Sequence, residues 1–149
     1  MASIQMVAEV AKRKGQQLWT SVDPPGLGQV NDRRRVQQIL INLLNNAVKF
    51  TPEGGEIELK AWIDRESQMV VYSIQDTGIG IAADDIPRIF QPFVQLDTGL
   101  TRNYGGTGLG LVLARRMAEL CGGQIGVESA IGQGSRFYVT VPQLTLASD

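Results

Sequence analysis

The chain has 149 residues, 43% of them hydrophobic and 19% charged, with a net charge of −1; this is the profile of an ordinary globular domain long enough to bury a core. Near-neutral charge gives no electrostatic footing for nucleic acid or an anionic membrane surface, and no apolar run reaches a transmembrane span or a signal-peptide core. Histidine is absent, which excludes a histidine general base, a Ser–His or Cys–His triad and a zinc site, while the single cysteine, Cys121, excludes an intrachain disulfide, fits a reducing compartment and sits where a core residue is expected.

In chain order, "SIQMVAEVAKRKG" has the apolar spacing of a short helix ending at Gly15. "QQLWTSVDPPG" reads as a strand stopped by Pro24 and Pro25. Asp32 is placed to cap a long helix that runs to about Phe50 and is terminated by "TPEGG". "GEIELKAWI" and "QMVVYSIQD" alternate as two antiparallel strands around the turn "DRESQ". "AADDIPRIF" predicts a short helix from about Asp84, and Gln91 to Gly106 reads as a long loop of the kind that carries function. "TGLGLVLARRMAEL" is a further helix closed by Gly122 and Gly123, followed by strands "QIGVESA" and "SRFYVTV" linked by "IGQG". The order of elements is α+β without βαβ alternation or internal repeat, and predicts a mixed sheet covered by helices on one face.

Three stretches point to a site. In "NLLNNAVKF" three asparagines interrupt an apolar helix although Asn is a weak helix former. On a 100° wheel Arg35, Gln38, Asn42, Asn46 and Lys49 fall in a strip roughly 80° wide that borders the apolar arc of Val36, Ile39, Leu40, Leu43, Leu44, Ala47 and Phe50. Neutral amides beside a buried face suit a metal or water network, and Lys49 sets an ammonium where a phosphate could sit. Taken alone, this helix reads more simply as a solvated edge. "QDTGIGI" ends an apolar strand on Asp76, a carboxylate able to accept from an amino group, with Gly78 and Gly80 leaving room for a flat ring; by itself it is equally a capped turn. In "YGGTGLGL" glycines open a helix whose exposed N–H groups can bind phosphate. It is not a P-loop, since Leu111 stands where the lysine belongs, nor a Rossmann turn, since no strand precedes it.

Together these stretches resemble the catalytic, ATP-binding domain of sensor histidine kinases in the GHKL superfamily. "DRRRVQQILINLLNNAVKFT" is similar to the asparagine box, "DTGIGI" to the first glycine box, "IFQPFVQ" to the phenylalanine box and "GGTGLGL" to the second glycine box, and "ESAIGQGSRFYVTVP" resembles the closing strand–turn–strand. The resemblance runs from about Gln17 to Pro142. It implies a two-layer α/β sandwich, the Bergerat fold, with a mixed, mostly antiparallel sheet against three main helices and an ATP lid over about 94–104. It implies that Asn46 holds Mg²⁺, with Asn42 one turn earlier supporting the metal and phosphate region. Lys49 would contact phosphate, and Phe50 would pack near adenine or ribose. Asp76 would accept from the adenine amino group, with Gly78, Gly80 and Ile81 lining the same pocket. Gly106, Gly108 and Gly110 would let the lid approach the phosphates, backbone amides around Leu109 would bind them, with Thr107 and Leu111 in the same nucleotide-binding stretch, and Arg102 would lie near the γ-phosphate. Asn45 points elsewhere.

The gyrase, mismatch-repair and heat-shock ATPases resemble this fold too, with a water-activating glutamate where this chain has Asn42. An amide has no useful basicity near neutral pH, which argues for phosphoryl transfer over autonomous hydrolysis. The resemblance therefore implies an Mg·ATP-binding phosphodonor, with residues 1–15 as a connector helix and 16–149 as the catalytic domain. The accepting histidine would lie on a separate dimerisation domain, with a response regulator downstream. The expected setting is cytoplasmic, without nucleic acid or direct membrane contact, and the chain by itself is expected to be a monomer unable to phosphorylate itself on histidine. An anti-sigma-factor serine kinase or a regulatory ATP sensor are the alternatives. Trp19 and Trp62 read as strand packing residues, Tyr104 as a lid anchor, and Ser135 equally as a water contact or a strand-pairing hydroxyl.

Overall fold

The computed structural model describes residues 2–22, 33–90 and 110–142. Its elements are α1 (Ala2–Arg13), β1 (Gln17–Val22), α2 (Arg33–Phe50), β2 (Glu56–Asp64), β3 (Met69–Asp76), a 3₁₀ helix (Ala83–Arg88), α3 (Gly110–Leu120), β4 (Gln124–Ser129) and β5 (Ser135–Pro142). The predicted stops at Pro24 and Pro25, the Asp32 cap and the loop from Gln91 to Gly106 lie outside the described residues.

Helices α1 and α3 end in the same way. After α1, Gln16 N–H donates to Ala11 O at 2.9 Å and Gly15 N–H to Lys12 O at 3.0 Å, with Gly15 at φ +74°. After α3, Gly123 N–H reaches Ala118 O at 2.8 Å and Gly122 N–H reaches Glu119 O at 3.0 Å, with Gly122 at φ +81°. Both are Schellman closures that use the left-handed conformation of glycine to satisfy terminal carbonyls. The predicted short helix near Asp84 is a 3₁₀ helix because Pro87 sits inside it and withholds an N–H from any α-helical ladder.

The strands form one sheet in the order β1-β2-β3-β5-β4, with β1 parallel to β2 and every other pair antiparallel. The β2–β3 hairpin turns where "DRESQ" predicts. The Asp64 carboxylate accepts from Glu66 N–H and the Ser67 hydroxyl there, and Gln68 takes φ +60°. The register sorts the faces. Leu59, Ile74, Phe137 and Val127 form one row of core residues, and Ala61, Tyr72, Val139 and Ile125 form the next. Against this face pack Val7 and Ala11 of α1, the apolar arc of α2, and Ala114 and Ala118 of α3. The result is the predicted two-layer sandwich with three α-helices among the described residues.

Two details differ from the sequence reading. Val48, off the predicted arc, is buried because the segment after α1 covers that flank: Lys14 Nζ donates to Val48 O at 2.7 Å. Trp19 lies on the opposite sheet face and is 52% exposed, so it is no core packing residue, while Trp62 is half-buried on that same face. Cys121 is buried, as expected.

Candidate functional site

The core-facing rows of the sheet end at Ile57, Asp76 and Ser135, which stand in register across β2, β3 and β5. Period-2 geometry thus brings a carboxylate to the end of the central strand on the side of the helices. Asp76 is only 4% exposed. Its Oδ1 accepts from Gly78 N–H at 2.8 Å and from Ser135 N–H at 3.2 Å. Burial raises its pKa above the ordinary carboxylate value, and these two backbone donors offset part of that rise. Both of these donors fall on Oδ1.

The loop after Asp76 is fixed from two sides. Ile79 N–H donates to Phe50 O at 3.3 Å, tying the loop to the end of α2. Ile81 N–H donates to Ser129 Oγ at 2.8 Å, and Gly132 N–H to Ile79 O at 2.8 Å, tying it to the β4–β5 turn. A Cβ on Gly78 would collide with Phe50 O, and one on Gly80, at φ +76°, with Ala130 O. The two glycines are thus demanded by close packing of the loop on its own chain, a reason distinct from room for a ring. Ile81 packs against the core.

On α2 the polar strip is real and partly covered. Gln38 and Lys49 are exposed, Asn42, Asn46 and Phe50 are half-buried, and Asn45 is exposed on a different face. Gln38 Nε2 donates to Asn42 Oδ1 at 3.0 Å, and Asn42 Nδ2 donates to Gly110 O at 3.4 Å. Asn42 therefore joins the asparagine stretch to the first residue of α3, where the third motif ends. Gly110 is exposed with open space at its Cβ position, and the Leu111 side chain packs against the core. Phe90 meets Phe137 edge-on at 6.4 Å, with the Arg115 guanidinium 5.9 Å above its ring. The expected lid at 94–104, with Arg102 and Tyr104, and the residues Gly106, Thr107, Gly108 and Leu109 that follow it lie outside the described residues.

One participant escaped the sequence reading. Ser129, at the end of β4, lies 2.8 Å from Ile81 N, 2.8 Å from Gly134 O and 2.7 Å from Ser135 Oγ. Serine is common beside turns, so "ESAIGQGS" alone carried no sign of this junction. Among the described residues no group of three or more His, Cys, Asp or Glu side chains is placed to hold a metal. The half-buried Asn46 carries an amide oxygen, a donor type that Mg²⁺, which retains few protein ligands, can take.

A family model described as histidine kinase-, DNA gyrase B- and HSP90-like ATPase matches residues 31–145. The circadian input-output histidine kinase CikA of Synechococcus elongatus is 51% identical over 115 residues, covering 77% of this chain and 15% of that protein. The sensor histidine kinase GacS of Pseudomonas protegens is 44% identical over 144 residues, covering 93% of this chain and 16% of its own length. The chain thus spans about a sixth of the length of these relatives. Among solved structures, full-length ShkA in complex with AMPPNP matches with a TM-score of 0.81 at 37% identity, over 97% of this chain and 30% of that one. The nucleotide-free catalytic domain of the histidine kinase ThkA matches with a TM-score of 0.77 at 28% identity, over 97% and 94%.

Proposed function

The chain belongs to the histidine kinase-, DNA gyrase B- and HSP90-like ATPase family, and from that premise we propose that Mg·ATP binds between the Asp76 end of the sheet and the polar face of α2. The fold and the histidine-kinase relatives make the chain the ATP-binding catalytic domain of a sensor histidine kinase. The proposal concerns which residues hold the nucleotide and what the whole protein does with it.

The observation that carries it is Asp76: a buried carboxylate, half satisfied by backbone, at the strand end nearest the helices. Its Oδ2 accepts from an adenine amino group, with Gly78, Gly80 and Ile81 framing the base. Phe50 lies at the base or ribose, Lys49 faces phosphate, and Asn46 lends its amide oxygen to Mg²⁺. Gly106 through Leu111, with Arg102, are the proposed phosphate contacts. Bound Mg²⁺ supplies charge neutralisation at the phosphates. The full-length ShkA structure, solved with AMPPNP, supports nucleotide binding in this fold.

Asn42 supports transfer over hydrolysis. Its amide has no useful basicity, and both ends are engaged, with Gln38 and with Gly110. The γ-phosphoryl group would go to a histidine on a separate dimerisation domain, and from there to a response regulator. The chain has no histidine of its own to accept it. Among the described residues no helix is long and apolar enough to cross a membrane; the proposed setting is cytoplasmic.

Calorimetric titration with Mg·ATP and then Mg·GTP tests the reading. ATP is expected to bind and GTP to bind far more weakly, and Asp76→Ala is expected to abolish the difference. Equal binding of both by the unsubstituted chain would remove Asp76 from the base pocket.

A further inference from the structure

The Ser129 junction fixes where its protons go. Ser129 Oγ has one proton and two lone pairs, and three partners within 2.8 Å. Ile81 N–H can only donate, so it takes one lone pair. Gly134 O can only accept, so it takes the single proton. The remaining contact, 2.7 Å to Ser135 Oγ, needs a proton that Ser129 no longer has. Ser135 must supply it. The Ser135 hydroxyl is thereby spent on Ser129, and any further partner meets only its lone pairs.

This matters because of where Ser135 stands. It pairs with Asp76 across β3 and β5, both side chains are on the helix side of the sheet, and Ser135 N–H holds Asp76 Oδ1. Side chains directly opposite on adjacent antiparallel strands lie within reach of one ligand group. We propose that Ser129 is a positioning residue for base selection: by consuming the Ser135 proton it makes the Asp76–Ser135 wall an acceptor-only surface. Such a wall receives a base edge that carries an amino group and repels one that carries a carbonyl at the same place. Asp76 alone would leave the neighbouring hydroxyl free to rotate and donate to that carbonyl. Ser129 removes this escape and also anchors Ile81 of the loop that frames the base. The inference rests on the proposed adenine pocket.

The test compares Mg·ATP with Mg·ITP, whose base carries a carbonyl in place of the amino group and an N–H in place of the adjoining ring nitrogen, on the unsubstituted chain, Ser129→Ala and Ser129→Thr. Ser129→Ala returns the Ser135 proton, so ITP affinity is expected to rise by about tenfold, the scale of one recovered hydrogen bond. Ser129→Thr keeps the hydroxyl and should restore the original discrimination. A purely structural role would weaken ATP and ITP together, and that result would overturn the proposal. Ser135→Ala gives an independent reading should Ser129→Ala fail to fold. It removes the second acceptor with Ser129 intact and should reduce the ATP preference by about tenfold; an unchanged preference would also overturn the proposal. Failure of the unsubstituted chain to bind ATP would instead sink the pocket itself, before any variant is compared.

Discussion

The Gln16 side chain, buried just after α1, donates through Nε2 to Val48 O at 3.0 Å and also to Thr51 O, 32 and 35 residues away. The last turn of a helix leaves carbonyls without intrahelical partners, and here one amide satisfies two of them at the end of α2. Lys14 Nζ adds a third bond, to Val48 O. The residues held in place include Lys49 and Phe50, and Phe50 O in turn receives Ile79 N–H from the loop after Asp76.

Gln16→Ala is therefore expected to destabilise the chain by about 1–2 kcal/mol, because Thr51 O loses the Gln16 donor while Val48 O keeps Lys14 Nζ. Urea unfolding should show a lower midpoint at unchanged slope. An unaltered midpoint would mean that the Gln16 bonds add nothing net to the fold.

Gly78→Ala is the sharper probe of the loop. The added Cβ would collide with Phe50 O and stand 2.9 Å from Asp76 Oδ1. Neither neighbour yields easily, one being backbone and the other a carboxylate fixed by two N–H groups. Overpacking of this kind costs about 1–3 kcal/mol. Thermal unfolding and ATP titration should both register it, since the displacement falls on Asp76. A variant with native stability and affinity would show that the loop is free to shift.

Hydrophobic period and glycine punctuation made most of the fold legible. The caps at Gly15 and Gly122, the hairpin at Asp64–Gln68 and the apolar arc of α2 follow from local chemistry, and the structure has each of them. Asp76 was legible as a candidate because an apolar strand closes on it at the start of D-x-G-x-G, a stretch that by itself reads equally as a capped turn; in the structure it is buried at the end of β3. Ser129 was not legible, since its importance arises only when β4 and the loop after Asp76 meet in space. Val48 was missed because one helix wheel cannot show that a second segment covers its other flank. Trp19 misled for a related reason: aromatic residues favour strands, but that preference does not say which sheet face has helices over it.

Asn46→Ala should separate metal from base. The half-buried amide stands one turn beyond Asn42 on the same strip, distant in sequence from Asp76. On the proposed reading Asn46 lends Mg²⁺ one oxygen, so its removal is expected to weaken Mg·ATP binding by about tenfold, with little change in ATP binding measured in excess chelator. Titrations with and without Mg²⁺ give the comparison. Equal losses in both conditions would mean that Asn46 holds the nucleotide itself.

Asp76→Asn predicts opposite effects on stability and function. A carboxyl whose pKa is raised on folding binds its proton more tightly in the folded chain than in the unfolded one. The stability this lends is fully present below the unfolded value, near 3.8, and is lost as pH climbs through the higher folded value. Above that, the folded chain carries a desolvated charge. Asparagine keeps an oxygen for Gly78 and Ser135 but carries no charge, so the variant should be the more stable of the two at neutral pH. That advantage should shrink as pH falls through the folded pKa of Asp76. In place of Oδ2 the amide offers an N–H₂ donor to the adenine amino group, so ATP affinity should fall although stability rises, a trade-off common at binding sites. Urea midpoints measured from pH 3 to 8, alongside ATP titrations at neutral pH, would reveal it. Parallel stability curves for the two chains would show that burial of Asp76 costs the fold nothing.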